Sequence, residues 1–377
     1  MGKITTYVGL DVHKKSIVAA MAMAGEGEAR LLGSVAHEPE AVARLMRRLG
    51  SPKGVLVCYE AGPCGYALQR QVESLGITCV VVAPSLIPRK PGDRVKTDRR
   101  DALKLARLLR AGELTPVWAP DPAQEALRDL TRAREAAKGD VLRARHRIAK
   151  MLLRLGVRQP PEIKACWTQK HEKWLAGLTF NTMEQTVVWE CLLEALGQAM
   201  ERLRRLTEAL VQGAARSKHA RLVAGLQCLR GVGLVTAATW VAELGDVAGR
   251  FPLARPLMGY AGLGVKEWSS GQRERRGAIT KAGNSHVRFA AVEAAWHYRH
   301  RPQESRALRK RREGQPEAVV AIARKAEDRL HQRLRRLVRK GKADTCAVTA
   351  AARELLGFVW AIAWELASSE QPERAAA

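Results

Sequence analysis

Four acidic residues stand apart from their surroundings. Asp98 and Asp101 lie three apart in RVKTDRRDALKLARLLR (94–110), a helical stretch that otherwise carries Arg94, Lys96, Arg99, Arg100, Lys104, Arg107 and Arg110. That spacing puts both carboxylates on one helix face. Asp11 interrupts an apolar strand pattern in VGLDVH, and Glu60 ends the strand pattern GVLVCYE. Carboxylates gathered at close range need counter-charge, and an oxygen-only ligand set selects hard ions such as Mg²⁺ or Mn²⁺. Two such ions can grip the attacking and leaving oxygens of a phosphodiester, while nearby arginines hold its backbone. Read singly, each acid has a plainer explanation. Asp98 or Asp101 is then half of an exposed i, i+4 ion pair, and Glu60 a strand-end surface residue. Asp11 is harder to dismiss, because an unpaired buried carboxylate is costly. His13 and Lys14 follow it directly; a histidine beside a turn is more often structural, and neither is counted in the site.

The elements that must position these acids alternate in the first third of the chain. Strands are expected over 4–13, 15–25, 29–37, 54–62 and 77–85, with helices over 38–50, 64–75 and from the basic stretch that follows the loop LIPRKPGDRVK. In this βββαβαβα order the first and fourth strands are neighbours and the last helix packs beside them, which gathers all four carboxylates. From Leu127 the pattern changes. Leu127, Leu130, Ala137, Val141, Ala144, Ile148, Met151 and Leu155 recur at three- and four-residue steps, with Arg134 as the polar intruder. A second seam runs through Trp189, Leu192, Leu196, Ala199, Leu203, Leu206 and Leu210. Two long helices packing as a coiled coil, within one chain or across a dimer, are the expected result. From about residue 219 a mainly helical region begins, with a tight GVG turn at 231–233 that either serves packing or offers amides to a phosphate. Three regions follow: 1–115, 116–218 and 219–377. The fold class is α/β plus all-α.

Within the third region SSGQRERRG (269–277) sets two serines in a flexible, strongly basic loop. A serine hydroxyl is a poor nucleophile without activation and a bound target; from chemistry alone a Ser-Gly turn that contacts phosphate is the commoner case. The residues placed to hold phosphate are Lys96, Arg99, Arg100 and Lys104 around the acids, and Arg273, Arg275, Arg276 and Lys281 around the serines.

The whole chain of 377 residues carries 64 Lys and Arg against 38 Asp and Glu, a net charge of +26. The partner such a charge implies is a polyanion, and nucleic acid is preferred to a membrane. No apolar run approaches the ~20 residues of a spanning helix, and LLGFVWAIAW (355–364) reads as core. No secretory signal is visible, and MGKITT, which fits a loose myristoylation pattern, runs straight into a strand. Seven scattered cysteines without metal spacing suggest a reduced, cytoplasmic setting with buried thiols.

These residues together carry a resemblance. GLDVHK (9–14), YEAGPCGY (59–66), KTDRRDA (96–102) and YAGLGVKEWSSGQRERRGAITKAGN (260–284) resemble the motifs of the DEDD transposases of insertion-sequence family 110, with its 1111 subgroup and the related Piv-type DNA invertases. The resemblance implies an RNase H-like (RuvC-like) N-terminal domain, long coiled-coil helices at a dimer interface, and a helical C-terminal transposase domain with a helix-hairpin-helix-like element. It places the DEDD quartet on Asp11, Glu60, Asp98 and Asp101, holding Mg²⁺ or Mn²⁺. It also puts a nucleophilic serine on Ser270, with Ser269 adjacent. A covalent phosphoserine–DNA intermediate, a composite site between protomers of a dimer or tetramer, and a structured noncoding bridge RNA that pairs with donor and target DNA are further implications. ITK stands here where many relatives have ISK. Three other readings compete. A Holliday-junction-resolvase-like endonuclease would use the same acids with water as nucleophile, and a non-catalytic nucleic-acid-binding scaffold would tolerate loss of any acid. A sugar-kinase-like ATPase, suggested by VGLDVH, lacks a later glycine-rich adenosine loop.

Overall fold

A computed structural model of the chain describes residues 3–25, 27–88, 97–271 and 273–375. Arg94 and Lys96 lie outside the described residues. Two compact units make up the chain, Met1–Ala119 and Pro120–Ala377.

The first unit follows the expected element order: β1 (Thr6–Val12), β2 (Ser16–Met23), β3 (Arg30–Ala36), α1 (Pro39–Arg47), β4 (Val55–Glu60), α2 (Ala67–Ser74), β5 (Thr78–Val82) and α3 (Asp98–Arg110). Its five-stranded sheet has the order β3-β2-β1-β4-β5. β1, β2 and β3 form an antiparallel meander, whereas β4 runs parallel to β1 and β5 parallel to β4. The parallel pairs need crossovers, which α1 and α2 supply on one face. There Val42, Met46, Leu68 and Val72 close over Val8, Leu10, Val57 and Tyr59. The opposite face of the sheet is built from small residues. Ala20 and Ala22 of β2 meet Ala102 and Ala106 of α3, and Cys58 and Val82 meet Leu105 and Leu109. Thr97 caps α3, its hydroxyl accepting the Arg100 amide at 3.4 Å. Asp98 and Asp101 therefore occupy the first turn, where the helix dipole favours negative charge.

The second unit is mostly helical. Two long helices, α4 (Pro122–Arg154) and α6 (Met183–Arg216), flank the short α5 (Gln169–Ala176). They pack lengthwise and antiparallel within the chain: Val141, Ala144, Ile148 and Met151 meet Trp189, Leu196 and Ala199. Towards the other end Arg134 Nε donates to Thr207 Oγ1 at 2.9 Å, which is how the polar intruder in the seam is accommodated. The chain continues through α7 (Ala220–Leu226), α8 (Leu234–Leu244), α9 (Val247–Arg250) and α10 (Ala254–Tyr260). A two-stranded hairpin follows, β6 (Val265–Glu267) and β7 (Arg276–Ile279), then α11 (Ser285–Ala295), α12 (Arg306–Arg312), α13 (Glu317–Arg339) and α14 (Asp344–Ala375). At the turn before α8, Gly231 has φ +76°, and a β-carbon there would lie 2.5 Å from the Ala294 carbonyl oxygen. Close packing against the end of α11 thus accounts for this glycine.

Three expectations are corrected. The segment around the serines is an antiparallel hairpin rather than a flexible loop, because Trp268 N donates to the Arg275 carbonyl and the Trp268 ring covers Gly277. Cys58, Cys79 and Cys228 are buried, but Cys166, Cys191 and Cys346 are exposed, since they fall on outward helix and loop positions. Asp344–Ser369 is long and apolar enough by length and composition to span a membrane, although no stretch of that length was expected, while the reading of LLGFVWAIAW as core holds. Leu355, Leu356, Val359, Ile362 and Leu366 are nonetheless buried in the core of the unit.

Candidate metal centre and serine hairpin

The acids of the first unit converge because a glycine lets a helix come close. Gly9 and Asp11 are on the same sheet face, two residues apart on β1. The backbone of α3 lies directly on Gly9: a β-carbon there would stand 2.5 Å from the Ala102 carbonyl oxygen and 2.7 Å from Leu105 Cβ. Ala102 is one turn from Asp98, so this contact sets the first turn of α3 beside the end of β1. His13 bridges the two acids, its Nε2 lying 3.2 Å from Asp11 Oδ2 and 3.5 Å from Asp98 Oδ1. One ligand atom from each of Asp11, His13 and Asp98 lies within 4.8 Å of the others. The His13 carbonyl in turn lies 2.8 Å from His37 Nδ1.

Burial pushes the Asp11 carboxyl above its ordinary range; the charge and hydrogen bond of His13 pull it down, and the charges of Asp98 and Asp101 push it up again. Like charges thus face one another at the strand end, a repulsion that a cation would relieve. Two carboxylates and an imidazole, partly open to solvent, fit a divalent ion. Asp101 joins through its charge, from the same helical turn. Glu60 follows the last β1–β4 pair, Leu10 with Tyr59, as Asp11 does on its own strand, but it is not among the three residues whose ligand atoms cluster. Arg99 and Arg100 are exposed beside the acids, and Lys104 is half-buried one turn on. His13 was set aside in the sequence; its only signal was its place two residues after Asp11.

In the second unit Ser269 and Ser270 stand at the tip of the hairpin, both exposed. Ser270 and Arg273 exchange backbone hydrogen bonds, each at 3.2 Å, and Gly271 between them has φ +57°. Ser269 Oγ donates to Glu267 Oε1 at 2.9 Å. Arg273, Arg275 and Arg276 are exposed around this tip, with Arg276 ion-paired to Glu274 at 3.2 Å. Lys281, also exposed, takes a left-handed φ of +56° while its amide donates to the Gly262 carbonyl at the hairpin base.

That base is anchored by a buried carboxylate that the sequence did not reveal. Glu243 of α8 receives Arg132 Nε at 2.7 Å, Arg132 Nη2 at 3.0 Å and Asn284 Nδ2 at 2.7 Å. Asn284 also caps α11 by accepting the Val287 amide, and its own amide donates to the Tyr260 carbonyl. Burial alone would raise the Glu243 pKa; hydrogen bonds from Arg132 and Asn284, with the charges of Arg132 and Arg128, outweigh it and hold the carboxyl below its ordinary value. AELG carries no motif by which this role could be recognised.

Comparison with known proteins now bears on both units. The profile of the DEDD transposases of IS110 matches residues 8–156, and that of the Transposase IS116/IS110/IS902 family matches residues 224–310. The chain is 44% identical over 361 residues to a Sinorhizobium fredii protein named as transposase y4qE, covering 95% of this chain and 88% of that one. It is 34% identical over 356 residues to the transposase for insertion sequence element IS1533 of Leptospira borgpetersenii, covering 90% and 99%. An α/β unit presenting an acidic cluster, followed by a helical unit with these matches, defines a DNA transposase. The chain belongs to the IS110 family of transposases. Membership in a DEDD family suggests a divalent metal at the acidic cluster and implies DNA as a partner.

Proposed function

We propose that this transposase moves an insertion sequence by RNA-guided strand exchange, with Asp11, Glu60, Asp98 and Asp101 as the metal site and Ser270 as the nucleophile. The observation that carries the metal half is the convergence of Asp11, His13 and Asp98 where α3 rests on Gly9. The strand order β3-β2-β1-β4-β5, antiparallel and then parallel, supports an RNase H-like (RuvC-like) reading of the first unit. An ion held there, Mg²⁺ or Mn²⁺, supplies charge stabilisation to phosphate oxygens. Asp11 and Asp98 would hold it together with Glu60 and Asp101, and His13 lies between the two aspartates within reach of the same ion.

The serine half rests on Ser270 at the tip of a basic hairpin. Its Oγ attacks a DNA phosphorus; a Ser–O–P bond forms as one P–O bond of the strand breaks, and the released sugar hydroxyl takes up a proton equivalent to the one serine loses. Reversal onto a different strand's hydroxyl gives exchange without external energy. Arg273 and Arg275 stabilise the charge on the attacked phosphate. A second reading puts the nucleophile on Ser269, favoured by its hydrogen bond to Glu267, a carboxylate placed to accept its proton.

The excess of positive charge supports binding of both DNA and a structured guide RNA, with Lys96, Arg99, Arg100, Lys104 and Lys281 among the phosphate contacts. Lengthwise packing of α4 and α6, with Leu142, Val187 and Val188 exposed on them, supports a coiled-coil region (116–218) that joins copies as a dimer or tetramer, between catalytic (1–115) and serine-bearing (219–377) domains. The test is recovery of protein-linked DNA under denaturing conditions from cells carrying the native element. Loss of the adduct in Ser270→Ala and Asp11→Ala, with retention in Ser269→Ala, is expected. Wild-type transposition by folded Asp11→Ala and Ser270→Ala variants rejects the proposal, and loss in Ser269→Ala alone moves the nucleophile one residue.

A further inference from the structure

A cavity of about 260 Å³ lies in the second unit where the 3-10 turn Trp296–Arg299 meets α13 and α14. Trp296, in the single 3-10 turn that follows α11, gives one wall, and Val338 of α13 and Val348 of α14 give others. Arg299, Arg335 and Arg339 stand at its rim. Arg335, Val338 and Arg339 are spaced i, i+3, i+4, so they share one helix face. A valine 39% exposed between two arginines on that face has no core to fill. Among the described residues neither Arg335 nor Arg339 has an ion-pair partner, although Asp344 contributes a carboxylate to the lining.

Size and charge together define the ligand. The cavity is smaller than the ~300–1,000 Å³ of sites for drug-sized molecules, which leaves room for a single planar ring system. Arg299 already lies over the Trp296 ring, its guanidinium carbon 5.9 Å from the ring centroid, and a base can stack on an indole or on a guanidinium plane, while the other lining arginines suit phosphate. Three arginines against one aspartate leave the lining net positive. The neighbouring His297 has its pKa lowered first by burial, and then by the charges of Arg230, His300, Arg299 and Arg311. An anionic ligand with a flat base is therefore favoured over a neutral apolar one.

We propose that this cavity takes one unstacked base of a single-stranded nucleic acid, the base lying against Trp296 and the phosphates on either side held by Arg335 and Arg339. The lining shares no residue with the carboxylate cluster or the serine hairpin, and the proposal rests only on the nucleic-acid partnership within the proposed function. It would fix the register of a strand while other groups act on it.

The test uses the full chain and ten-nucleotide homopolymers of 5-iodouridine or 5-iododeoxyuridine, irradiated and mapped by peptide mass spectrometry. Cross-links to Trp296 or to the 334–339 segment are expected, and the ratio between the two polymers tells whether the strand is RNA or DNA. Arg335→Ala and Arg336→Ala remove the same charge from adjacent positions of α13, but only the first lines the cavity. The first is expected to weaken affinity at least fivefold more than the second. Trp296→Leu should cost about tenfold, the scale of one stacked base. Cross-links confined to other segments, or equal losses in the two arginine variants, overturn the proposal. If Trp296→Leu fails to fold, the arginine pair still decides. No strand exchange occurs in this assay, so its failure is distinct from failure of the serine chemistry.

Discussion

Replacing Gly9 by alanine tests how the candidate metal centre is assembled. The new β-carbon would meet the Ala102 carbonyl oxygen at 2.5 Å and Leu105 Cβ at 2.7 Å, with the Ala106 amide nitrogen nearer still. None of these is the tip of a flexible side chain. Ordinary contact begins near 3.4 Å, so α3 must retreat by about 1 Å. Ala102 and Ala106 are fully buried against Ala20 and Ala22 of β2, so a retreat of α3 also opens that contact. Asp98 lies one turn before Ala102 on the same face and moves with it, lengthening its 3.5 Å approach to His13. Overpacking of this kind costs about 1–3 kcal/mol of stability. A 1 Å displacement within a catalytic constellation costs about a hundredfold in rate. Thermal unfolding of purified Gly9→Ala, followed by its rate of transposition of the element, measures both. A variant that unfolds at the wild-type temperature and reacts at the wild-type rate would show that Gly9 does not register α3 against β1.

Two further outcomes follow from the electrostatics. Asp11 has its carboxyl raised in the folded state, so its charge opposes folding at neutral pH. Asp11→Asn is therefore expected to raise the unfolding temperature in metal-free buffer and to abolish any stabilisation by added Mg²⁺ or Mn²⁺, read by differential scanning calorimetry; a metal-dependent shift that survives in the variant contradicts the assigned ligand. Glu243 has the opposite sign. Its folded pKa lies below the ordinary 4.5, so its contribution is complete above that value and is lost as pH falls through the lower folded one. Glu243→Ala should cost about 3–5 kcal/mol at pH 7, because it leaves Arg128 and Arg132 without their buried partner. With Glu243→Gln the gap to wild type should narrow in acid, and a gap that stays constant from pH 7 to pH 3 refutes the charged assignment.

Local pattern was enough to read much of this molecule. Apolar runs separated by turn residues marked the five strands of the sheet, and because a parallel β1–β4 pair follows from a meander and its crossover, the place of Asp11 beside the fourth strand was legible as well. The i, i+3 spacing put Asp98 and Asp101 on one face of a helix. The three- and four-residue steps of the α4 and α6 seams foretold which side chains are buried between them, although they left open whether the partner helix belonged to the same chain. These features depend on neighbours a few residues away, which a linear reading contains.

What tertiary structure decided depends on side chains distant in the chain and on which way they point. His13 becomes a bridge only because Asp98, 85 positions on, arrives beside Asp11, and it arrives there because a missing β-carbon at Gly9 admits the α3 backbone. Glu243 looked like any helix glutamate until folding surrounded it with Arg132 and Asn284. The hydrogen bond from Ser269 to Glu267 needed the hairpin, and the Trp296 cavity needed a 3-10 turn to meet α13 and α14. The sequence by itself determined the chemistry available, the local elements and the family; packing alone decided which of those groups share a few ångströms of space, because that distance is set by the volumes between elements and not by spacing along the chain.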